Sequence, residues 1–265
     1  MTLDMLNWDT LNLSILGPAL LAGLLVLATH VPLGQQVLKR GIVFIDLAVA
    51  QIAALGVIAA DAFGWEPQGL RVQIAAIVAA MLGALLLTWT EKRWPEVQEA
   101  LIGAIFVLAA SAGILLLANN PHGGEHLKDL LAGQILWVNM SQLIPTACVT
   151  VLILGLWFWL KERLGSAGFY MLFALAVTAS VQLVGVYLVF SSLIMPAIAV
   201  RTWPQSSKLW GGYLIGIIAY VIGLVLSALF DLPSGALIVW CLAATGILMN
   251  VLIATTKYKQ RFYQP

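Results

Sequence analysis

The stretch from Gly41 to Gly56 reads GIVFIDLAVAQIAALG and is apolar at nearly every position. Two polar side chains interrupt it, the carboxylate of Asp46 and the amide of Gln51. Apolar runs of this kind recur along the chain. Several reach about 20 residues, the length that a helix needs to cross a hydrocarbon core of about 30 Å. The stretch therefore predicts a membrane-spanning helix that carries an ionisable group.

The composition of the whole chain leads to the same class. Of its 265 residues, 62% are hydrophobic and only 9% are charged, whereas a soluble globular domain has about 25% charged residues. We therefore predict a polytopic integral membrane protein, surrounded by lipid, with a single transmembrane domain over residues 1–265. The net charge of +1 argues against a nucleic-acid partner.

Apolar runs and chain breakers divide the sequence into nine segments. Their length and the lack of dyad alternation indicate α-helices rather than a barrel. Pro196 and the Ser191–Ser192 pair suggest that the long run 169–201 has a short or broken second half. The nine predicted spans are 14–36, 41–62, 70–90, 98–118, 140–160, 169–187, 188–201, 209–230 and 234–256.

The basic residues predict an orientation. With the N-terminus outside, all of the thirteen Lys and Arg residues except Arg71 and Lys128 fall on one side. The positive-inside rule makes that side cytoplasmic. The prediction is an all-α protein with nine transmembrane helices, N-terminus out and C-terminus in. No Lys or Arg precedes the first apolar run, so we do not expect a cleavable signal peptide.

Several motifs of catalysis are missing from the sequence. There is no G-x-x-x-x-G-K-[ST] loop and no Gly-Lys pair, so the chain is not expected to hydrolyse ATP. There is also no H-E-x-x-H and no G-x-S-x-G, which leaves an intramembrane hydrolase poorly supported. Cys148 and Cys241 lie inside apolar runs and are interpreted as packing residues. The chain is predicted not to be an enzyme.

Asp46 is the only acid well inside a predicted span. An Asp at the centre of a membrane helix costs about 3 kcal/mol on insertion scales, so such residues usually face an interior or a water-filled path. Two interpretations stay open. Asp46 is either a structural acid, neutral or paired with Lys39 or Arg40, or a ligand in a cation pathway.

Two further polar residues are candidates for the same pathway. Gln51 lies about 140° around the helix from Asp46, so the two side chains face one point only if the helix is deformed. Gln51 is either an interhelical hydrogen-bonding residue or a substrate contact. His30, near the inner end of the first span, is either a satisfied core histidine or a group that approaches Asp46 from a neighbouring helix.

The longest connection carries the sequence PHGGEH at residues 121–126. Its His122, Glu125 and His126 form the only cluster of metal-capable side chains in the sequence. Borderline metals such as Zn²⁺ favour imidazole and carboxylate ligands. These residues are either metal ligands or ordinary solvated loop residues.

Four stretches, in order across nearly the whole chain, together resemble the metal-type ABC transporter permeases. They are VPLGQQVLKRGIVF (31–44), LLAGQILWVNMSQL (130–143), VGVYLVFSSLIMPAIAVR (184–201) and DLPSGALIV (231–239). The resemblance implies a multi-pass subunit of the bacterial inner membrane that imports divalent cations such as zinc or manganese. It also implies a homodimer, a separate ABC ATPase subunit and an extracytoplasmic metal-binding protein. The metal would be the substrate, with no cofactor bound by this chain.

The sequence departs from the family pattern in its second span. There the family reads roughly Gly-Asp-x-x-x-His, with both polar side chains on one helical face as pathway ligands. Here Leu47 stands where the acid belongs, Gln51 stands where the histidine belongs, and Asp46 is displaced by one residue. The amide oxygen of Gln is a hard donor and does not replace an imidazole for zinc. The identity of the metal therefore stays open.

A second departure concerns the contact with the ATPase. The family has a short helix between spans five and six, but here that connection is only KERLGSAG, residues 161–168. Either this loop docks through Lys161, Glu162 and Arg163, or the connection 201–208 docks through Arg201 and Gln205. We favour the second.

Two alternatives to a metal permease remain. One keeps the architecture but moves a different substrate, because the expected histidine is missing. The other is a stand-alone secondary transporter or channel, which usually shows two related halves and more buried charge.

Overall fold

A computed structural model of the chain describes residues 12–63, 65, 69–117, 131, 133, 135–160, 163 and 165–262. Within these residues there is no strand, and nine α-helices have defined bounds. Short 3₁₀ turns at Pro95–Val97 and Ile135–Trp137 precede the fourth and fifth of them. The helices are α1 Leu13–Arg40, α2 Ile45–Ala62, α3 Leu70–Arg93, α4 Gln98–Leu117, α5 Met140–Leu160, α6 Ser166–Val184, α7 Val186–Ala199, α8 Gln205–Phe230 and α9 Ser234–Phe262.

Each predicted segment corresponds to one of these helices, and the all-α class is confirmed. Seven helices in the described part, namely α1, α3, α4, α5, α6, α8 and α9, are long and apolar enough to cross a membrane. Helix α7, with 14 residues, is a shorter apolar helix. The chain is thus a multi-pass helical membrane protein.

The ends of α1 follow ordinary capping chemistry. At its start, the side chain of Asn12 accepts a hydrogen bond from the backbone N–H of Ser14 at 3.0 Å. At its end, Gly41 adopts the left-handed conformation with φ of 72°, which glycine reaches at little cost. The chain then reverses over three residues and α2 begins at Ile45.

The long run 169–201 is divided at Gly185, which has φ of 80° and ψ of 163°. The predicted division, between residues 187 and 188, lies within three residues of Gly185. The second half is short, as predicted, and it is not broken at the Ser191–Ser192 pair or at Pro196. Helix α7 continues through all three. Gly185 supplies the break because its backbone conformation is one that residues with a Cβ rarely adopt.

Helix α2 lies at the centre of the bundle. It packs against α3, α4, α6 and α7, and none of its residues from Ile45 to Asp61 is exposed. By contrast, α3, α4, α5, α8 and α9 each present exposed large apolar side chains, as lipid-facing helices do. Much of α2 is therefore covered by protein, and its polar residues Asp46 and Gln51 are buried.

Contacts between helix ends show that successive helices run up and down. The end of the bundle at which α1 terminates is called the Arg40 end. The end at which α2 terminates is called the Asp61 end. At the Arg40 end, the C-terminus of α1 contacts α3 and α6. The N-terminus of α2 contacts α4, and α7 contacts α9. These contacts are Arg40 with Glu91 and Phe169, Phe44 with Glu99, and Ala199 with Asn250.

The family-like stretches contact one another where the helices cross closely. Gly34, in the first stretch, lies against the carbonyl group of Leu193 in the third, where a Cβ would collide with it. Gly133, in the second stretch, adopts φ of 67° and lies against the backbone of Val184. These two glycines therefore allow close packing between segments, as small residues commonly do between membrane helices.

Candidate functional site

Asp46 is completely buried and has no hydrogen-bond partner. Its side chain is 0% exposed, and neither carboxylate oxygen has a partner in the described protein. The residue lies in the first turn of α2 rather than well inside the helix, because α2 begins at Ile45 and not at Gly41 as predicted. Backbone N–H groups at a helix start favour negative charge, so α2 itself offers the carboxylate partial compensation.

The pairing of Asp46 with a neighbouring base is not found. Arg40 directs its guanidinium to Glu91, with Nη1 3.6 Å from Oε1, and lies over the ring of Phe169 at 4.3 Å. Neither Lys39 nor Arg40 donates a hydrogen bond to the two oxygens of Asp46. The described part of the chain thus leaves this buried carboxyl group without a compensating side chain. A carboxylate there is costly unless it takes up a proton or a ligand supplies the compensation.

Gln51 is also buried, with 7% of the residue exposed. Its face of α2 differs from that of Asp46 by about 140°, and both faces are covered because other helices surround α2. The helix therefore buries both polar groups without the deformation that a shared face would have required.

His30 on α1 is 0% exposed and uses one ring nitrogen only. Its Nδ1 lies 3.0 Å from the carbonyl oxygen of Val26 and 3.0 Å from Oγ1 of Thr29. The Thr29 hydroxyl itself donates to the Val26 carbonyl at 3.2 Å. This network assigns the proton to Nδ1, because the carbonyl can only accept.

The other ring nitrogen of His30 is a free acceptor. Nε2 is buried and has no hydrogen-bond partner, so His30 does not hydrogen-bond to Asp46. A core histidine with both nitrogens hydrogen-bonded, one of the two predicted interpretations, is therefore found for Nδ1 alone. A neutral imidazole with Nδ1–H on a backbone carbonyl and a bare Nε2 has the arrangement of histidines that bind metals. Among the described residues, however, no three His, Cys, Asp or Glu side chains come together to hold a metal ion.

Only some of the other predicted site residues belong to the described part of the chain. His122, Glu125 and His126 are outside the described residues, as are Lys161 and Glu162. Arg163, Arg201 and Gln205 are described, and all three are exposed. Each follows or precedes a helix end on the same side of the bundle as Arg40.

The connection between α7 and α8 is a compact, anchored turn. The backbone N–H of Trp203 donates to the carbonyl of Val200 at 3.0 Å. The Trp203 side chain packs on a small cluster formed by Ala199, Val200 and Ile215 and covers Gly211. Arg201 thus projects from a turn that is fixed to both flanking helices.

A cavity of about 570 Å³ lies at the Asp61 end. In the described part of the chain it is lined by the last turns of α2, the first turns of α3, the first half of α5 with the segment before it, and the second half of α6. Its polar lining comprises the carboxylate of Asp61, the amides of Gln73, Gln142 and Gln182, and the hydroxyls of Ser141, Thr146 and Thr178.

The sequence interpretation passed over this cavity. Its polar residues are far apart in sequence, and each is unremarkable by itself. The one available signal was Asp61, a second acid at the far end of the span that contains Asp46.

Comparisons with known proteins give one family. A model of the ABC 3 transport family matches residues 12–169 and 160–254. The high-affinity zinc uptake system membrane protein ZnuB of Haemophilus influenzae is 25% identical over 88% of this chain and 96% of its own length. The manganese transport system membrane protein MntC of Halalkalibacterium halodurans is 24% identical over 86% of this chain and 84% of its own length.

A solved structure has the same fold. PsaBC from Streptococcus pneumoniae in complex with Fab matches with a TM-score of 0.71 and 22% identity, covering 88% of this chain and 90% of the solved chain. The match of the family model extends over nearly the whole sequence and agrees with the four stretches that resemble metal-type permeases. This chain belongs to the ABC 3 transport family.

Proposed function

We propose that this chain is the membrane permease subunit of an ATP-driven ABC importer for divalent metal cations, with zinc or manganese as the substrate. The observation that carries the proposal is Asp46, a fully buried carboxylate on the central helix with no partner for either oxygen. A permeating cation provides the positive charge that the protein does not. Relatives named for zinc and manganese transport support this choice of substrate.

The proposed orientation has nine membrane-crossing helices, the N-terminus outside and the Arg40 end in the cytoplasm of a bacterial inner membrane. The positive-inside rule supports it. Of the basic residues with described side chains, only Arg71 lies at the Asp61 end. The others lie at or beside the Arg40 end, and they are Lys39, Arg40, Lys92, Arg93, Arg163, Arg201 and Lys208.

In this orientation Asp46 lies near the cytoplasmic end of a closed route. Gln51 and the bare Nε2 of His30 are the further pathway groups that we propose, since both are buried away from lipid. Because Asp46 is fully covered within one copy of the chain, the ion reaches it only when helices around α2 move. ATP-driven rocking of two permease copies would supply that movement.

The proposed partners are a separate ABC ATPase, an extracytoplasmic metal-binding protein and a second copy of this chain. ATP hydrolysis belongs to the ATPase. We assign its docking contact to the α7–α8 turn with Arg201 and Gln205, because that turn is anchored to both flanking helices and can transmit a push. In the proposed orientation, His122, Glu125 and His126 belong to an outer loop, where they would meet the incoming metal.

Uptake by reconstituted vesicles tests the proposal. The chain is purified with its ATPase, inserted into proteoliposomes and given metal-loaded binding protein, with ATP inside or absent. We expect ATP-dependent uptake of Zn²⁺ or Mn²⁺ that Asp46→Asn reduces at least about tenfold, an interaction worth about 1.4 kcal/mol or more. Glu96→Gln, which neutralises an exposed acid near the Arg40 end, is the matched control and should transport normally.

The same experiment separates the alternatives. Uptake without ATP would identify a secondary transporter. Failure to transport any divalent cation, with the complex intact, would overturn the metal assignment. Undiminished uptake by Asp46→Asn would remove Asp46 from the pathway.

A further inference from the structure

The cavity at the Asp61 end has polar groups set among apolar side chains. Seven of the described side chains that line it carry oxygen atoms. One of these groups makes no hydrogen bond to the described protein. The hydroxyl of Thr178 is buried, with 2% of the residue exposed, and has no partner in the described protein. An unpaired buried hydroxyl is costly, so the cavity is expected to hold water.

The donors around this water are all of one chemical kind. Carboxylate, amide and hydroxyl oxygens line the cavity, and none of its lining residues in the described part of the chain is a histidine or a cysteine. Hard oxygen donors suit Mg²⁺, Ca²⁺ and Mn²⁺, whereas zinc prefers imidazole and thiolate. Among the lining residues that the structure describes, Asp61 is the only charged one. A single carboxylate cannot replace the full hydration shell of a divalent ion.

The size of the cavity matches a cation that keeps its water. Each water molecule occupies about 30 Å³ in the liquid, so six waters around an ion need about 180 Å³. The cavity offers about 570 Å³. A hydrated ion therefore fits with room for a further layer of water, through which amides and hydroxyls can reach it.

The cavity ends well short of Asp46. Its deepest contact on α2 is Val57, which lies about 16 Å along the helix from Asp46. Just beyond it, Gly56 packs closely on the backbone of Ala75 and Ala76, so α2 and α3 close the space between them. An ion in the cavity would contact the same helix that carries Asp46, but packed protein would separate the ion from Asp46.

We propose that this cavity is a waiting site for a hydrated divalent cation, with Asp61 as its charged contact, and that it favours Mn²⁺ over Zn²⁺. The inference rests on the proposed function and narrows its substrate class. The ion is held through its water by the oxygen donors and loses that water only later, when the closed contact between α2 and α3 opens. Its binding is electrostatic and should weaken as salt is raised.

Manganese binding can be measured directly on the complete transporter in lipid nanodiscs without nucleotide. The signal of free aqueous Mn²⁺ in electron paramagnetic resonance reports the bound fraction. We expect Asp61→Asn to weaken binding by at least about tenfold, because a carboxylate facing a divalent ion in a partly buried site interacts strongly. Thr178→Val, an isosteric change that removes one donor, should weaken binding by a smaller factor.

Two control variants fix the position of the site. Asp231→Asn neutralises an exposed acid that follows α8, and its left-handed backbone, with φ of 51°, is one that Asn tolerates. This variant should bind Mn²⁺ as the unchanged protein does. Glu96→Gln, which neutralises an exposed acid near the Arg40 end, should also bind Mn²⁺ as the unchanged protein does.

The hydration of the bound ion gives a second measurement. In D₂O, electron spin echo modulation should show that bound Mn²⁺ retains most of its water, and Zn²⁺ should displace it only at higher concentration than Mn²⁺ itself. Equal binding by Asp61→Asn, a dehydrated ion or equal competition by Zn²⁺ would each overturn the inference. If uptake proceeds while one of these results is obtained, only the waiting site is lost. If uptake of every divalent cation fails, the proposed function is lost instead.

Discussion

Gly34 of α1 lies directly against the carbonyl group of Leu193 of α7. A Cβ built on Gly34 would lie 2.9 Å from the carbonyl carbon of Leu193 and closer still to its oxygen. The obstacle is backbone, which cannot rotate away as a side chain can. The contact therefore requires glycine and holds α1 and α7 at their closest approach, in the manner of small residues between membrane helices.

We expect Gly34→Ala to destabilise the protein by about 1–3 kcal/mol, the usual cost of overpacking. Thermal unfolding in detergent, followed by intrinsic fluorescence, measures the loss. Gly103→Ala is the matched control, since nothing lies within 4 Å of its Cβ position on α4. The control should be neutral or slightly stabilising, because Ala favours helices over Gly. Equal stability of the two variants would contradict the packing role of Gly34.

Arg40 contacts α3 and α6 at once, and its two contacts should differ in strength. The ion pair with Glu91 spans 3.6 Å, and each side chain is 24% exposed, so solvent screening leaves it a small contribution. The stacking on Phe169 needs the planar guanidinium. We expect Arg40→Lys to lower stability by about 0.5–1 kcal/mol, and Glu91→Gln to lower it less.

A double-mutant cycle separates these contributions. If stacking dominates, Arg40→Lys should have almost no further effect in a Phe169→Leu background, and denaturation midpoints should show this. A full effect of Arg40→Lys in that background would assign the stabilisation to the ion pair instead.

The helices were predictable from the sequence because a membrane removes most alternatives. Long apolar runs must be helical there, and basic residues mark one side. The division of the run 169–201 was predicted between residues 187 and 188, within three residues of Gly185, but its cause was not predicted. Pro196 and the Ser191–Ser192 pair are familiar breakers, yet α7 accommodates them, and the deciding property is a backbone conformation that sequence does not display.

The site was only partly predictable, for a similar reason. Asp46 stands out because an acid in an apolar run is costly, and its burial agrees with that expectation. The state of His30 depends on hydrogen bonds to Val26 and Thr29, and the cavity depends on four elements that converge only in the fold. No local pattern could have indicated that Asp61 and Thr178 line one space.

The anchored turn between α7 and α8 predicts how charge reversal should act on the ATPase. We expect Arg201→Glu to reduce metal-stimulated ATP hydrolysis severalfold, because Arg201 is exposed on a turn that packs through Trp203 onto both helices. Arg163→Glu is the control on the neighbouring connection and should have the smaller effect. ATPase activity of the reconstituted complex, together with copurification of the subunits, provides the measurement. The opposite order would move the docking contact to residues 161–168.

Asp46→Asn should separate stability from transport. A structural acid stabilises the fold, so its neutral isostere would lower the unfolding temperature. Asp46 has no hydrogen-bond partner for either oxygen and is 0% exposed. Asn would therefore lose no contact, and a charge on the acid, where it is present, costs several kcal/mol. We therefore expect Asp46→Asn to unfold at the same or a higher temperature while metal uptake is lost. Thermal unfolding and uptake, measured on the same preparation, test both parts. A clear fall in unfolding temperature would show that Asp46 is retained for the fold rather than for the cation.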